Sequence, residues 1–391
     1  MAVARKVETE SFVQTEVGPL PSDWHLNSIS NMSTSVSSGR SHVDCDYGGV
    51  PVYGSTGIIG SCRKGEYAGT SILIARVGAN AGKLAVVEGA YGVTDNTIIV
   101  KIKDTFELQY IWRQLEVKKL NSLVFGSGQP LLTGTQIKNL IIPLPPTKAE
   151  QEAIATALSD ADALIESIEQ LIAKKRQIKQ GAMQELLTGK RRLPGVATTR
   201  TYIETDVGKI PTDWRVVSVA EISIVGRGRV ISHREIEKAL TPLYPVYSSQ
   251  TSNDGIMGYL DTYDFEGEFI TWTTDGANAG TVFYRNGKFN CTNVCGTIKL
   301  RSESYSFIAK VLSCFTYPHV SRHLGNPKLM NDIMKKIRIP IPPTIAEQNA
   351  IASIIDDIEV EENELESKLT KARQLKQGMM QELLTGRIRL I

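Results

Sequence analysis

The chain has 391 residues, of which 41% are hydrophobic and 22% are charged, and its formal net charge is +2. This length predicts two or three domains with ordinary cores, and the absence of any apolar run approaching about 18 residues argues against a membrane span. The N-terminus lacks the apolar segment of a secretory signal, so we expect a cytoplasmic protein. The small positive charge permits nucleic-acid binding without requiring it.

The first β-rich segment covers residues 15–141. It is rich in Gly, Ser, Thr, Tyr and Val, and its short aliphatic runs at 71–74, 84–87 and 97–102 predict strands that are joined by turns. A helix is expected near Leu108 to Leu120. The segment therefore predicts an α+β domain with a compact sheet or small barrel.

A long helix is predicted next. Between Ala149 and Leu187 the apolar residues recur at steps of three and four, which places one continuous stripe on a helix. Thr147 is the predicted N-cap, Glu150 completes a capping-box pattern, and Gly189 suits the C-terminal cap. About 40 residues at about 1.5 Å each give a rod of roughly 60 Å, which needs a packing partner.

The rest of the chain repeats this layout. Residues 205–338 are again β-rich, and predicted strands lie at 269–272, 281–284 and 296–300. A helix is expected near Ser306 to Phe315. A second long helix is predicted from Thr344 to Gly386, although its apolar stripe is less regular than that of the first helix.

The repetition is also visible residue by residue. Of the 48 positions from Ile142 to Gly189, 26 are identical to the positions 197 residues later. The opening segment 15–24 returns at 205–214, at an offset of 190 residues. The middles share only islands, such as the Gly-Ala-Asn-Ala-Gly sequences at 78–82 and 276–280. The chain is therefore an internal duplication with two diverged middles.

This layout predicts four segments. They are a first globular domain over 1–146, a first spacer helix over 147–189, a linker and second globular domain over 190–343, and a second spacer helix with a C-terminal tail over 344–391. The two helices are expected to pair as an antiparallel coiled coil, which would place the globular domains at opposite ends. In the alternative arrangement each helix packs on its own domain.

No residue pattern indicates catalysis or a metal site. The five cysteines are too few and too irregular for a disulfide framework, and Cys291 and Cys295 lack the usual zinc spacing, so burial in a strand is favoured. No carboxylate pair or Ser/His/Asp order recurs in both halves. The segment Asn326 to Leu329 lacks the second proline and the aromatic residue of a methyltransferase clamp. We therefore expect no catalytic residue, metal or cofactor in this chain.

The repeated openings, the Gly-Ala-Asn-Ala-Gly islands and the helices that follow Pro-Pro-Thr and end in Gln-Glu-Leu-Leu-Thr-Gly resemble the specificity subunits of type I restriction-modification systems. The resemblance covers essentially the whole chain. It implies two target recognition domains, each of which reads one part of a bipartite double-stranded DNA target. It also implies that the helices set the spacing and dock two modification subunits.

The same resemblance places the chemistry in partner subunits. It implies S-adenosylmethionine in the modification (methyltransferase) subunits, and ATP and Mg in the restriction (motor and nuclease) subunits. This chain would then be a non-catalytic recognition subunit. Two other interpretations stay open: a DNA-recognition subunit of a related assembly outside type I, and a non-catalytic coiled-coil scaffold.

Candidate DNA contacts follow from residue chemistry, because Arg, Lys, Asn, Gln, Ser and Thr on exposed loops contact base edges and phosphates. Asn80 and Asn278 also admit a structural role as turn-capping residues, since both lie in islands that the halves share. The candidates are Arg40, Ser55, Arg76, Asn80, Lys83 and Gln129 in the first half, and Arg227, Arg229, Ser249, Asn278, Arg285, Asn326 and Lys328 in the second.

Overall fold

The computed structural model describes residues 4–6, 12–43, 49–123, 131–195, 201–322 and 325–390. The chain divides into two compact units. The first contains Met1–Glu169 and Ser367–Ile391, and the second contains Gln170–Glu366. Each unit therefore holds one β-rich domain together with part of both long helices. The mixed α+β class that the sequence predicts is confirmed.

The first half of the chain consists of short elements followed by one long helix. In chain order they are β1 (Ala4–Lys6), β2 (Phe12–Thr15), β3 (Gly18–Pro21), β4 (His25–Ser28), α1 (Ile29–Met32), β5 (Ser33–Ser38), β6 (Val50–Gly54), β7 (Gly57–Cys62), β8 (Tyr67–Ala68), β9 (Ser71–Ala75), β10 (Leu84–Val87), β11 (Ala90–Val93), β12 (Thr97–Ile102), α2 (Leu108–Val117), α3 (Gly134–Lys138), β13 (Ile141–Leu144) and α4 (Lys148–Leu186).

The second half follows the same order among the described residues. Its elements are β14 (Tyr202–Thr205), β15 (Gly208–Pro211), β16 (Arg215–Ser218), α5 (Val219–Ile222), β17 (Ser223–Arg227), α6 (His233–Glu237), β18 (Tyr244–Tyr247), β19 (Ile256–Leu260), β20 (Phe265–Glu266), β21 (Phe269–Thr273), β22 (Val282–Arg285), β23 (Lys288–Cys291), β24 (Cys295–Leu300), α7 (Tyr305–Phe315), α8 (Asn331–Lys336), β25 (Arg338–Ile341), α9 (Ile345–Leu383) and β26 (Ile388–Leu390).

In the described part of the chain, each β-rich domain contains two four-stranded sheets. In the first domain the strand orders are β10-β9-β12-β5 and β7-β6-β11-β8, and in the second they are β22-β21-β24-β17 and β19-β18-β23-β20. The corresponding pairs β6–β11 and β18–β23 are parallel in both domains. Every residue of β9 is buried, as expected for a continuous apolar run rather than an alternating one. The duplication is therefore a duplication of topology.

Each long helix begins one residue after its predicted N-cap. Thr147 Oγ1 accepts a hydrogen bond from the Glu150 N–H at 3.2 Å, and Thr344 does the same for Glu347. The predicted capping box is wrong in its second part, because the Glu150 carboxylate accepts hydrogen bonds from Arg389 instead. At the other end, Gly189 has a φ of +70°, as the predicted glycine cap requires.

The two helices pack antiparallel within both units. In the first unit, Asp162 of α4 pairs with Lys376 of α9 at 2.6 Å, and Glu169 pairs with Arg373 at 2.6 Å. Leu383 and Leu384, at the end of α9, join the core that contains the start of α4. The alternative in which each helix packs only on its own domain is therefore wrong.

The second unit shows the reciprocal arrangement. Lys179 and Arg176 of α4 bind Glu362 of α9 at 2.6 and 2.8 Å. Leu186 and Leu187, at the end of α4, pack in the core that contains the start of α9. Both helices are acidic at these N-terminal positions and basic at these C-terminal ones, so parallel pairing would bring like charges together. The charge pattern thus favours the antiparallel direction.

An arginine just beyond each helix end binds two carboxylates of its unit. Arg192 donates hydrogen bonds to Asp213 at 2.8 Å and to Glu347 at 3.0 Å. Arg389 binds Asp23 at 2.8 Å and also binds Glu150. Burial raises the pKa of Glu347, although the hydrogen bonds from Arg192 oppose that shift. We call these two groups the arginine clusters.

None of the helices in the described ranges combines the length and the apolar composition of a membrane-spanning helix.

Candidate nucleic-acid interface

Three loops at one edge of the first domain line a cleft of about 430 Å³. They follow β5, connect β6 to β7, and connect β11 to β12. Arg40 and Ser55, both predicted DNA contacts, lie in this cleft with His42, Thr56 and Asn96, which the sequence interpretation missed. Arg40, His42 and Asn96 are exposed. These donors and acceptors are the kinds of side chain that contact base edges and phosphates.

The turn at Ser55 and Thr56 also borders a second cleft, which Lys83 lines from the other side. Arg76 lies near the same loops, because its guanidinium donates to Ser38 Oγ at 2.9 Å and to the Asp95 carbonyl at 3.3 Å. Four of the first-half candidates are thus grouped around three loops. Gln129 lies outside the described residues, as does Cys45.

In the second domain three of the predicted contacts, Arg227, Arg229 and Ser249, lie on or beside the corresponding loops. Ser249 follows β18, and the neighbouring Ser248 Oγ is 3.3 Å from Thr292 Oγ1 of the β23–β24 loop. The loop after β17 is tied to the same strands, because the Arg229 N–H donates to the Cys291 carbonyl at 3.1 Å. Arg227 is exposed. The same three loops therefore meet in both domains.

Two cationic candidates of the second domain, Arg229 and Lys328, already have carboxylate partners. Arg229 pairs with Glu235 at 2.7 Å and with Asp264 at 2.9 Å, and these contacts raise its pKa. Lys328 pairs with Asp275 at 3.5 Å. Any phosphate contact by these side chains would have to compete with those carboxylates.

In the second domain the island lies beside the segment from Asn326 to Leu329. The Gly276 N–H donates to the Pro327 carbonyl at 3.0 Å, and the Leu329 N–H donates to the Thr274 carbonyl at 2.8 Å. Asn326 and Lys328 are exposed in that segment. In the first half, the Leu132 N–H likewise donates to the Arg76 carbonyl at 2.8 Å.

Arg285 is placed differently from the other candidates. Its side chain is 4% exposed and lies 3.7 Å above the ring of Tyr247, and it binds Asp254 and the backbone of the same loop. The sequence interpretation treated Arg285 as a candidate DNA contact, because arginine on an exposed loop can bind base edges and phosphates. In the structure, Arg285 instead packs beneath the β18–β19 loop and holds it through these contacts.

Cys291 and Cys295, at facing ends of β23 and β24, are buried, whereas Cys314 is exposed. Cys291 and Cys295 are 0% and 2% exposed, and their Sγ atoms are 3.3 Å apart, which is too far for a disulfide. Burial raises the pKa of the Cys291 thiol. Among the described residues, no group of three or more His, Cys, Asp or Glu side chains could hold a metal ion.

Two copies of one α+β domain, with the same loops and different side chains on them, define a duplicated protein with two variable surfaces. The family model described as the type I restriction modification DNA specificity domain matches residues 21–177 and 211–375. These matches cover most of the chain and include both domains. The chain belongs to the type I restriction-modification DNA specificity family.

Similar proteins agree with this assignment. A putative type I specificity subunit of Mycoplasma pneumoniae is 39% identical over 160 residues, which are 40% of this chain and 43% of that relative. A putative type I restriction enzyme specificity subunit of Methanocaldococcus jannaschii is 27% identical over 436 aligned residues, which cover 97% of each chain.

The fold also matches a solved structure. The crystal structure of a type I restriction-modification system S subunit from M. genitalium has a TM-score of 0.65 and 15% identity, and the match covers 92% of this chain and 96% of that one. At this level of identity the similarity concerns the fold.

Proposed function

We propose that this chain is the DNA-recognition subunit of a type I restriction-modification complex, in which each half reads one part of a bipartite target. The observation that supports this most directly is the repeated loop surface. Both domains have the same strand orders, but the side chains on the loops differ. Arg40 lies in a cleft with Ser55 and His42, whereas Arg229 of the other surface pairs with Asp264 and Glu235. When the same strand framework carries different loop side chains, each domain can recognise a different DNA sequence.

The partners follow from the duplication. Each of the two equivalent units can bind one copy of the same partner. We therefore propose two modification subunits that carry S-adenosylmethionine. We also propose restriction subunits that use ATP and Mg. The present chain then contributes recognition and no catalysis. DNA in the cytoplasm is its proposed ligand.

The paired helices are proposed to set the distance between the two reading surfaces. Four extra residues in α4 alone would break its ion pairs with α9, so a matched insertion of four residues in each helix, after Glu169 and after Glu366, is the appropriate change. Such an insertion lengthens a helix by about 6 Å, which corresponds to one or two base-pair steps. The half-site sequences should survive while the unread gap grows.

The decisive experiment replaces residues 25–141 with the matching segment of another specificity subunit and maps methylated sequences with the modification subunits present. We expect one half-site to change and the other to remain. The reciprocal replacement of 215–338 is the matched control, and it should change only the other half-site. If either replacement altered both half-sites, the two-reader proposal would be wrong.

A further inference from the structure

The Gly-Ala-Asn-Ala-Gly island makes the same backbone hydrogen bonds in both halves. In the first half, the Gly82 N–H donates to the Ala75 carbonyl at 2.8 Å and the Lys83 N–H donates to the Asn80 carbonyl at 2.9 Å. The corresponding distances in the second half, from Gly280 to Thr273 and from Thr281 to Asn278, are 2.8 and 3.1 Å. The repeated sequence therefore builds one repeated turn.

The small residues of the island are explained by this turn. Gly82 has a φ of +89°, and a Cβ there would meet the Asn121 backbone nitrogen at 2.5 Å. Gly280 has a φ of +90°, and a Cβ there would meet Val320 at 2.9 Å. Ala81 is buried. Folding accounts for these residues without any ligand.

The turn geometry that explains the glycines does not explain the asparagine of the island, Asn80 or Asn278. Asn80 and Asn278 are not among the described residues with positive φ, so their backbone admits other side chains. Neither side chain caps the turn: Asn278 Nδ2 donates to Thr251 Oγ1 at 3.0 Å, and Asn80 makes no side-chain hydrogen bond within the described part of the chain. The capping role considered from the sequence is therefore wrong.

The position of the asparagines indicates what they face. Thr251, the partner of Asn278, lies in the β18–β19 loop two residues after Ser249. Lys83, three residues after Asn80, lines a cleft with Ser55 and Thr56. Asn278 thus contacts a loop proposed to read DNA. Asn80 occupies the corresponding position of the first half, in a turn whose Lys83 lines a cleft with Ser55 and Thr56 of such a loop.

The two surfaces are proposed to bind different DNA sequences, yet both carry this asparagine. An identical residue on both surfaces is expected to contact a part of DNA that is the same in both targets. The sugar-phosphate backbone is such a feature, and the amide NH2 of asparagine is a donor to phosphate oxygens. We propose that Asn80 and Asn278 are equivalent, sequence-independent contacts to the DNA backbone that fix the register of each reading surface. This inference rests on the proposed function and adds to it a division between anchoring and base reading.

The test uses the chain assembled with its modification subunits and carrying Asn80→Ala, Asn278→Ala or both. Binding is measured to a duplex with the mapped target and to a scrambled duplex of equal length. Each single change should weaken binding to both duplexes by the same factor, about tenfold, and the double change by roughly a hundredfold. The mapped methylation sequence should stay the same.

Two further variants distinguish the loss of a DNA contact from a loss of protein stability. Asn80→Asp keeps the shape and adds a negative charge, so it should weaken DNA binding more than Asn80→Ala while thermal unfolding is unchanged. Asn349→Ala, an exposed asparagine at the start of α9, is the control and should bind DNA like the unaltered chain. Because asparagine and alanine are both neutral, the salt dependence of binding should not change in the alanine variants.

Several results would overturn the inference. They are normal DNA binding by the double variant, a loss confined to the target duplex, a methylation sequence that relaxes at one base, or failure of the variant to assemble with modification subunits. The last result would assign the asparagines to a protein contact. If the unaltered complex did not distinguish the two duplexes, the proposed function itself would fail, which is a separate outcome.

Discussion

The arginine clusters and the loop surfaces differ in how far they repeat between the two halves. Arg192 and Arg389 bind corresponding carboxylates with similar geometry. By contrast, Arg285 supports a loop from the end of β22, where the corresponding end of β10 has the buried apolar residue Val87. Contacts that join helices to domains have been kept in both copies, whereas contacts beneath the loops have diverged. A duplicated recognition protein can therefore change its loops without changing its framework.

Arg192→Ala should have the largest effect, because it leaves Glu347 buried without its cation. The free energy of unfolding of the second unit should fall by about 3 kcal/mol, measured by chemical denaturation. Arg389→Ala should act similarly on the first unit. The neighbouring Arg191, whose side chain is 74% exposed, is the matched control, and Arg191→Ala should change little. Equal effects of Arg191→Ala and Arg192→Ala would show that the cluster is not a framework contact.

Arg285→Ala should test whether a divergent contact acts on one surface only. It removes the hydrogen bonds to Asp254 and the contact with Tyr247, which should cost about 2 kcal/mol and loosen the β18–β19 loop. Methylation mapping should show weaker discrimination at one half-site only. Lys288→Ala, at an exposed position of β23, is the control. Loss of discrimination at both half-sites would contradict the local role.

Glu362→Gln tests, by the pH dependence of unfolding, whether the ion pairs between α4 and α9 stabilise the protein. Hydrogen bonds from Lys179, and then from Arg176, lower the pKa of Glu362 below its ordinary value of 4.5, although burial opposes them. Its stabilisation is therefore present above that value and is lost as the pH falls through the lowered pKa. At pH 7 the variant should be less stable by about 1 kcal/mol, and in acid the difference should vanish. The exposed Glu364→Gln is the control; a difference that persisted in acid would exclude the ion pairs as its source.

Lys83→Ala should have the smallest effect, because an exposed lysine contributes mainly by releasing counterions from DNA. We expect affinity to fall about threefold, the slope of log affinity against log salt to fall by about one, and the methylated sequence to remain. The exposed Lys138 of α3 provides the control. A relaxed target sequence would instead make Lys83 a base reader.

The amino-acid sequence determined the local structure and the duplication. Apolar periodicity located both long helices, β-branched runs located strands such as β9 and β21, and the repeat offset predicted one topology used twice. These features follow from contacts between near neighbours in the chain, which is why pattern alone was enough.

The tertiary structure decided which distant residues meet. It brought the end of α9 into the core of the first unit, paired Arg389 with Glu150 across 239 positions, and turned Arg285 inward instead of toward solvent. Residue type indicates that an arginine needs a partner, but burial and the choice of carboxylate depend on packing between segments far apart in the chain. The same reason applies to the loop surfaces. The sequence showed which side chains the loops carry, but it did not show which other residues those side chains contact.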